Sequence, residues 1–274
     1  MRKTLSIAVA AVAAVATVAY LAVALPYAAR RHSSVVCNRM AVVVADSDVN
    51  RLVRKEDIPA IFRAGGQTYF GKRLGEISTQ QLEQALRERS LIREANVFTT
   101  VDGVLHVHIL QRRPIVRVYA EDGQSFYIDS EGFILQPYGG YTSDVPIASG
   151  HITSPFPKRY KGSMFQHFSG GGKSDSLLLQ LFAFARHLSG SPFWQAQVEQ
   201  IYVTPQGRVE LVPRVGAHVI RMGTLDGFEH KLRKLYTLYQ KGLPLKGWNT
   251  YDMIDVSYGN QVVCRKKADS NKTI

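Results

Sequence analysis

Residues 95–110 read ANVFTTVDGVLHVHIL, two apolar runs on either side of Asp102-Gly103. Asp-Gly between alternating segments predicts a two-residue type I′ turn, in which both central residues need positive φ. Ala95–Val101 is therefore expected to pair antiparallel with Val104–Leu110. In the second strand Leu105, Val107 and Ile109 share one face, and His106 and His108 share the other. Upstream, Ser78-Thr79-Gln80-Gln81 fits a capping box with Ile77 and Leu82 as its hydrophobic staple, and Leu82, Ala85, Leu86 and Arg89 follow at helical spacing. Earlier still, Asp57-Ile58-Pro59 opens a short helix containing Ile61 and Phe62 that Gly65-Gly66 stops. Met40–Val44 is a short apolar strand ahead of the Asp46-Ser47-Asp48 turn cluster. The expected order is strand, helix, helix, strand, strand.

From Pro114 the texture changes to short strands broken by turns: Ile115–Tyr119, Phe126–Asp129 and Phe133–Leu135, separated by Asp122-Gly123 and Glu131-Gly132. The Gly, Ser and Pro-rich stretch 138–172 lacks periodicity and is expected to form irregular surface loops. An apolar helix spans about Asp175–Leu188, closed by Gly190 and Pro192, with a second helix after it. Strands Gln200–Thr204 and Arg208–Val212 flank Pro205-Gln206-Gly207, and Ala217–Met222 is another strand. Thr224 is placed to cap a helix in which Leu225, Phe228, Leu232, Leu235 and Tyr239 form one buried stripe. Its basic face, Lys231, Arg233, Lys234 and Lys241, is expected to be solvated, and Gly242 to end the helix. Met253–Tyr258 and Gln261–Arg265 then form a final hairpin around Gly259-Asn260.

The segment Leu5–Tyr27 holds 23 residues without a charge, among them nine alanines. As a helix it would reach about 34 Å, enough to span a hydrocarbon core. It exceeds the h-region of a cleaved signal peptide, so an uncleaved anchor is expected, with Arg2 and Lys3 in a tail of residues 1–4. Flanking charge is nearly balanced against Arg30, Arg31 and His32, but the short tail and long hydrophilic remainder favour export of the bulk of the chain. A net charge of +12 suits anionic lipid or nucleic acid without choosing between them.

Catalytic constellations fail one by one. Gly170-Gly171-Gly172-Lys173-Ser174 resembles a phosphate loop, but His167 stands where its first glycine is needed, and no apolar strand precedes it. His106 and His108 lack a third metal ligand at matching spacing. Asp129 and Glu131 bracket a turn, and neither G-x-S-x-G nor H-E-x-x-H occurs. Cys37 and Cys264, the two cysteines, are read as half-buried strand residues, although one bridge between them is conceivable in an oxidising compartment.

An anchor, then strand-helix-helix-strand-strand, then a mixed sheet with a penultimate helix and a final hairpin resembles the FtsQ/DivIB family of bacterial division proteins, in particular its Bacteroidetes-type members. The matching residues include Gly75 before the Ser78 helix, Ile92–Val97 entering the hairpin and Gln111-Arg112-Arg113-Pro114 leaving it. Tyr127-Ile128-Asp129 with Glu131-Gly132, Met222-Gly223, and the run Ile254–Val263 complete the ordered set. The resemblance implies an α+β chain: an N-terminal transmembrane helix at 5–27, a POTRA domain (β-α-α-β-β) at 35–111, and a mixed β-sheet domain with flanking helices at 112–267. A flexible tail at 268–274 would close it.

It further implies a non-catalytic, single-pass inner-membrane adaptor at the division septum, its bulk periplasmic. Such an adaptor has no cofactor, metal, nucleic acid or small-molecule substrate. The implied partners are FtsB-like and FtsL-like single-pass coiled-coil proteins, and the implied role is control of septal peptidoglycan synthesis. Recruitment would use strand addition at the terminal edge, through Tyr251, Ile254, Val256, Tyr258, Gly259, Asn260, Val262, Val263, Cys264 and Arg265. Tyr258 falls on the family's partner-binding tyrosine, while Ser257 stands where the family often has arginine, which removes that charge from the motif. Ile254, Val256, Tyr258 and Val263 alternatively fill the core of the domain. The rival functions are a POTRA-type periplasmic assembly factor for outer-membrane proteins, an anchored cell-wall enzyme, and a basic nucleic-acid binder.

Overall fold

A computed structural model describes residues 14–24, 35–47, 52–137, 142–168 and 173–267. Within the expected span, residues 14–24 are helical and carry their apolar side chains exposed, Val15, Val18 and Val23 among them. Residues 5–13 and 25–27 lie outside the described residues, as do the 1–4 and 268–274 tails and the Gly170–Gly172 run. Among the described residues no helix is long and apolar enough to cross a membrane.

The described chain forms two compact units, one running up to Gln111 without Leu52, the other comprising Leu52 and the chain from Arg112 onward. In the first, β1 (Arg39–Val44) leads to α1 (Ile58–Ala64), α2 (Thr79–Arg87), β2 (Ile92–Thr99) and β3 (Val104–Gln111). β3 lies between its neighbours, parallel to β1 and antiparallel to β2. Leu105, Val107 and Ile109 are buried on one face, as their alternation predicts, together with Ile58, Phe62, Leu82 and Leu86 from the helices. Each contributes about 1.5–3 kcal/mol by leaving water. Ser78 Oγ accepts the Gln81 N–H at 3.3 Å, the forward half of the expected cap.

The hairpin differs from the expected two-residue turn. Asp102 does not have positive φ, whereas Gly103 does at +81°, and Gly103 N–H donates to Thr100 C=O at 3.0 Å. The strands are thus joined by a longer turn whose last residue is left-handed, the geometry of a G1 bulge. A Cβ on Gly103 would also stand 2.6 Å from the Val36 carbonyl oxygen, so close approach reinforces the choice of glycine.

In the second unit the strands are β4 (Pro114–Tyr119), β5 (Ser125–Asp129), β6 (Phe133–Leu135), β7 (Ile147–Gly150) and β8 (Gly162–Ser163). Further along come β9 (Val198–Val203), β10 (Val209–Pro213), β11 (Val219–Gly223), β12 (Tyr251–Asp255) and β13 (Val263–Lys266). Among the described residues they pair in the order β13-β12-β11-β10-β9-β7-β4-β5-β6-β8. The unit also holds helices α3 (Met164–His167), α4 (Lys173–Ser189), α5 (Pro192–Gln197), α6 (Phe228–Thr237) and, after a π turn, α7 (Leu243–Lys246). Leu178, Leu181, Phe184 and Leu188 of α4 and Leu232 and Leu235 of α6 join the sheet's apolar side chains in one core.

Three expectations change here. The 138–172 stretch is not all surface loop: β7 sits inside the sheet, parallel to both β4 and β9, with Ala148 fully buried. Gly150 ends that strand at φ +96°, where a Cβ would come within 2.2 Å of the Val203 carbonyl oxygen. Thr224 does not cap α6, which starts at Phe228 behind Gly227. Nor does Gly242 end the helical run, since a π turn over Leu238–Gly242 carries it on to Lys246, where Gly247 stops it. Tyr239, within the π turn, is buried with Leu235.

Candidate functional site

The sheet ends at β13, whose neighbour on one side is β12. Their register pairs Asp255 with Val263, Ile254 with Cys264 and Met253 with Arg265, with a bulge at Asp252. Lys267 N–H donates to the Thr250 carbonyl at 3.0 Å. Strand backbones alternate, so Val263 and Arg265 also turn their N–H and C=O groups to β12, while those of Cys264 and Lys266 point away. Among the described residues nothing pairs with that outer side.

Support for the edge comes from behind. Ile254 and Val256 are completely buried in the core, the core-filling alternative of the sequence reading, so they back the strand from behind. Tyr251, Val262 and Cys264 are half-buried against the same core. Tyr258 is 51% exposed and Val263 40%, while Gly259, Asn260 and Arg265 are exposed. Arg265 Nε donates to both carboxylate oxygens of Asp252, at 2.8 and 3.1 Å, and this holds the Asp252 carboxyl below the usual carboxylate range.

The connection between β12 and β13 is not a tight Gly259-Asn260 turn. The strands stop at Asp255 and resume at Val263, and Gly259 does not adopt positive φ. A longer loop results, held by side chains rather than by turn geometry. Asp255 Oδ1 accepts the Ser257 N–H at 2.9 Å and its hydroxyl at 2.5 Å, and His230 Nε2–H donates to the Gly259 carbonyl at 3.0 Å. Lys234 Nζ reaches the carbonyls of Val256 at 3.0 Å, Gly259 at 3.1 Å and Gln261 at 3.3 Å, and also that of Tyr258. Desolvation pushes the Lys234 ammonium below its usual pKa, partly offset by the Asp255 charge. Lys231 likewise donates to the Thr224 carbonyl at 2.6 Å. Two lysines expected on a solvated face are therefore engaged; a helical wheel holds no signal for Lys234, because its acceptors lie more than 20 residues along the chain.

Deeper in the unit, His218 Nε2 lies 2.8 Å from the buried Tyr239 hydroxyl. Burial lowers the His218 pKa; the Trp248 carbonyl offsets this in part yet leaves Nδ1 without a well-formed hydrogen bond. The Asp129 and Glu131 pair is structural. Asp129 accepts the N–H groups of Glu131 and Phe133 at 2.9 and 2.8 Å, and both carboxylates bind Arg112, which stacks on Phe133 at 3.6 Å. His106 stacks on Phe98 at 4.9 Å, and His108 meets the same ring edge-on. Among the described residues no three metal-capable side chains converge. Cys37 and Cys264 are both free thiols, Cys37 buried just ahead of β1 and Cys264 within β13.

Comparison with known proteins agrees with this architecture. Residues 35–110 match the POTRA-like domain family, and residues 113–265 match the family described as FtsQ/DivIB, C-terminal related. The cell division protein FtsQ of Rhodothermus marinus is 24% identical over 204 residues, covering 72% of this chain and 69% of that protein. With the second family match covering more than half of its length, the chain belongs to the FtsQ/DivIB family of cell-division proteins.

Proposed function

We propose that this chain is a non-catalytic membrane adaptor of the bacterial division machinery that recruits single-pass partners by strand addition at β13. In this reading residues 5–27 anchor the chain in the inner membrane and residues 1–4 are cytoplasmic. A POTRA domain of 35–111, a β domain of 112–267 and a tail of 268–274 follow in the periplasm at the septum. The exposed apolar side chains of the 14–24 helix favour lipid over water as their surroundings. FtsB-like and FtsL-like coiled-coil proteins are the expected partners, and control of septal peptidoglycan synthesis the expected output.

The observation that carries this reading is the open outer side of β13 beside the exposed Tyr258. An unpaired edge offers main-chain hydrogen bonds, and an exposed tyrosine offers apolar area with little side-chain entropy to lose. Arg265, Lys266 and Lys267 cluster at the same edge, so two copies of it repel each other, and self-pairing is disfavoured while a different segment can still add. The test is to purify the full-length protein and a Tyr258→Ala form from detergent-solubilised membranes and identify what accompanies each. Two single-pass coiled-coil proteins should accompany the parent and be depleted from the variant, whose stability should change by less than about 0.5 kcal/mol. Recovery of barrel-assembly proteins instead would favour the assembly-factor reading.

A further inference from the structure

We infer that Lys234 is the positioning residue of the partner-binding edge: its ammonium sets the conformation of the 256–262 loop and thereby the presentation of Tyr258 and β13. This rests on the functional reading above. Beyond the Asp255–Ser257 contacts at its start, no tight turn fixes the loop, since Gly259 lacks the positive φ of a two-residue hairpin. What it carries is a set of carbonyls, from Val256, Tyr258, Gly259 and Gln261, converging on one nitrogen. An ammonium has three donors and no preferred plane, so it suits several acceptors arriving from different directions, where a guanidinium fork would not.

The placement of that nitrogen is set by the helix. Leu232 and Leu235, on either side of Lys234, are buried in the core, so the backbone of α6 is held and the lysine stem has a defined origin. One turn earlier His230 reaches Gly259 from the same helix. At the loop's start the Asp255–Ser257 contacts tie the chain to the end of β12. Tyr258 thus stands between two anchored points, its carbonyl on Lys234 and its ring exposed. Lys234 touches no partner; it acts through the loop.

The experiment uses the full-length protein with Lys234→Met, which keeps an apolar stem of similar reach and removes the donors. Amide hydrogen exchange over residues 256–262 should accelerate by about tenfold or more, as loss of a charge-assisted hydrogen bond predicts, with β9–β11 unchanged. Partner recovery in the membrane purification should fall about tenfold in step. Adding Tyr258→Ala to Lys234→Met should produce no further loss, because both act through one presented loop. Unchanged loop exchange overturns the inference, as does faster exchange with undiminished recovery, or losses that simply add in the double variant. If the parent recovers no single-pass partner, the functional reading fails, and the exchange result still decides whether Lys234 sets the loop.

Discussion

Two antiparallel hairpins in this chain end in sheet edges, and they treat those edges oppositely. In the first unit Thr100 N–H bonds the Val104 carbonyl, so the even residues of β2 face β3, and Ala95 and Val97 face outward. Both are met: Val97 N–H donates to Glu83 Oε1 at 2.9 Å, and the Ala95 carbonyl accepts from Arg87 Nη2 at 3.1 Å. Glu83 and Arg87 pair with each other at 3.2 Å along α2, so one helix turn covers the edge. At β13 the outward groups of Cys264 and Lys266 find no such cover among the described residues. One edge is thus closed by a charged pair, and the other is open among the described residues.

This contrast can be broken from either side. The largest effect is expected from Ile254→Ala, which removes the buried backing of the open edge and should cost about 3 kcal/mol, seen as a lower denaturant midpoint for the second unit. Glu83→Ala should uncover the closed edge and destabilise the first unit by about 2 kcal/mol, the range for a hydrogen bond to a charged group. Acid should weaken the second unit through His218. Its pKa is lowered in the folded protein, so stability is fully present above the ordinary histidine value of about 6.5 and is lost as the pH falls below it. Denaturant melts between pH 7.5 and 5 should show the loss in the parent and a flatter profile in His218→Gln. The smallest effect belongs to Asp252→Ala, which frees the exposed Arg265 and should leave the denaturant midpoint of the second unit unchanged, because solvent screens an exposed ion pair.

How much of this was legible in the sequence follows from how local each feature is. The β2–β3 alternation, the Ser78 cap, β4 to β6 and the Leu232 and Leu235 positions of α6 all report on periodicity or on contacts within a few residues, and they stand where the pattern puts them, whereas Leu225 is buried ahead of the helix. β7 was hidden because four residues, Ile-Ala-Ser-Gly, carry no alternation; its burial comes from parallel neighbours on both sides. The π turn was hidden because Gly242 reads as a stop signal, while packing of Tyr239 and Leu243 carries the helix through it. At the site, the pattern left Tyr258 open between core and surface, while the final strand was legible. The lysine that shapes the loop was not, since its acceptors lie more than 20 residues away. The Glu83–Arg87 pair looks like an ordinary helical i,i+4 contact until β2 is placed beside it.

The central claim, that partners add a strand to β13 through its backbone, is tested most directly by residue-level amide exchange on the full-length protein with and without the recovered single-pass partner. Strand addition requires that the Cys264 and Lys266 amides, which face away from β12, gain protection on binding, while Val97 in the covered β2 edge does not change. If binding leaves Cys264 and Lys266 exchanging freely and protects another surface instead, strand addition at β13 is contradicted.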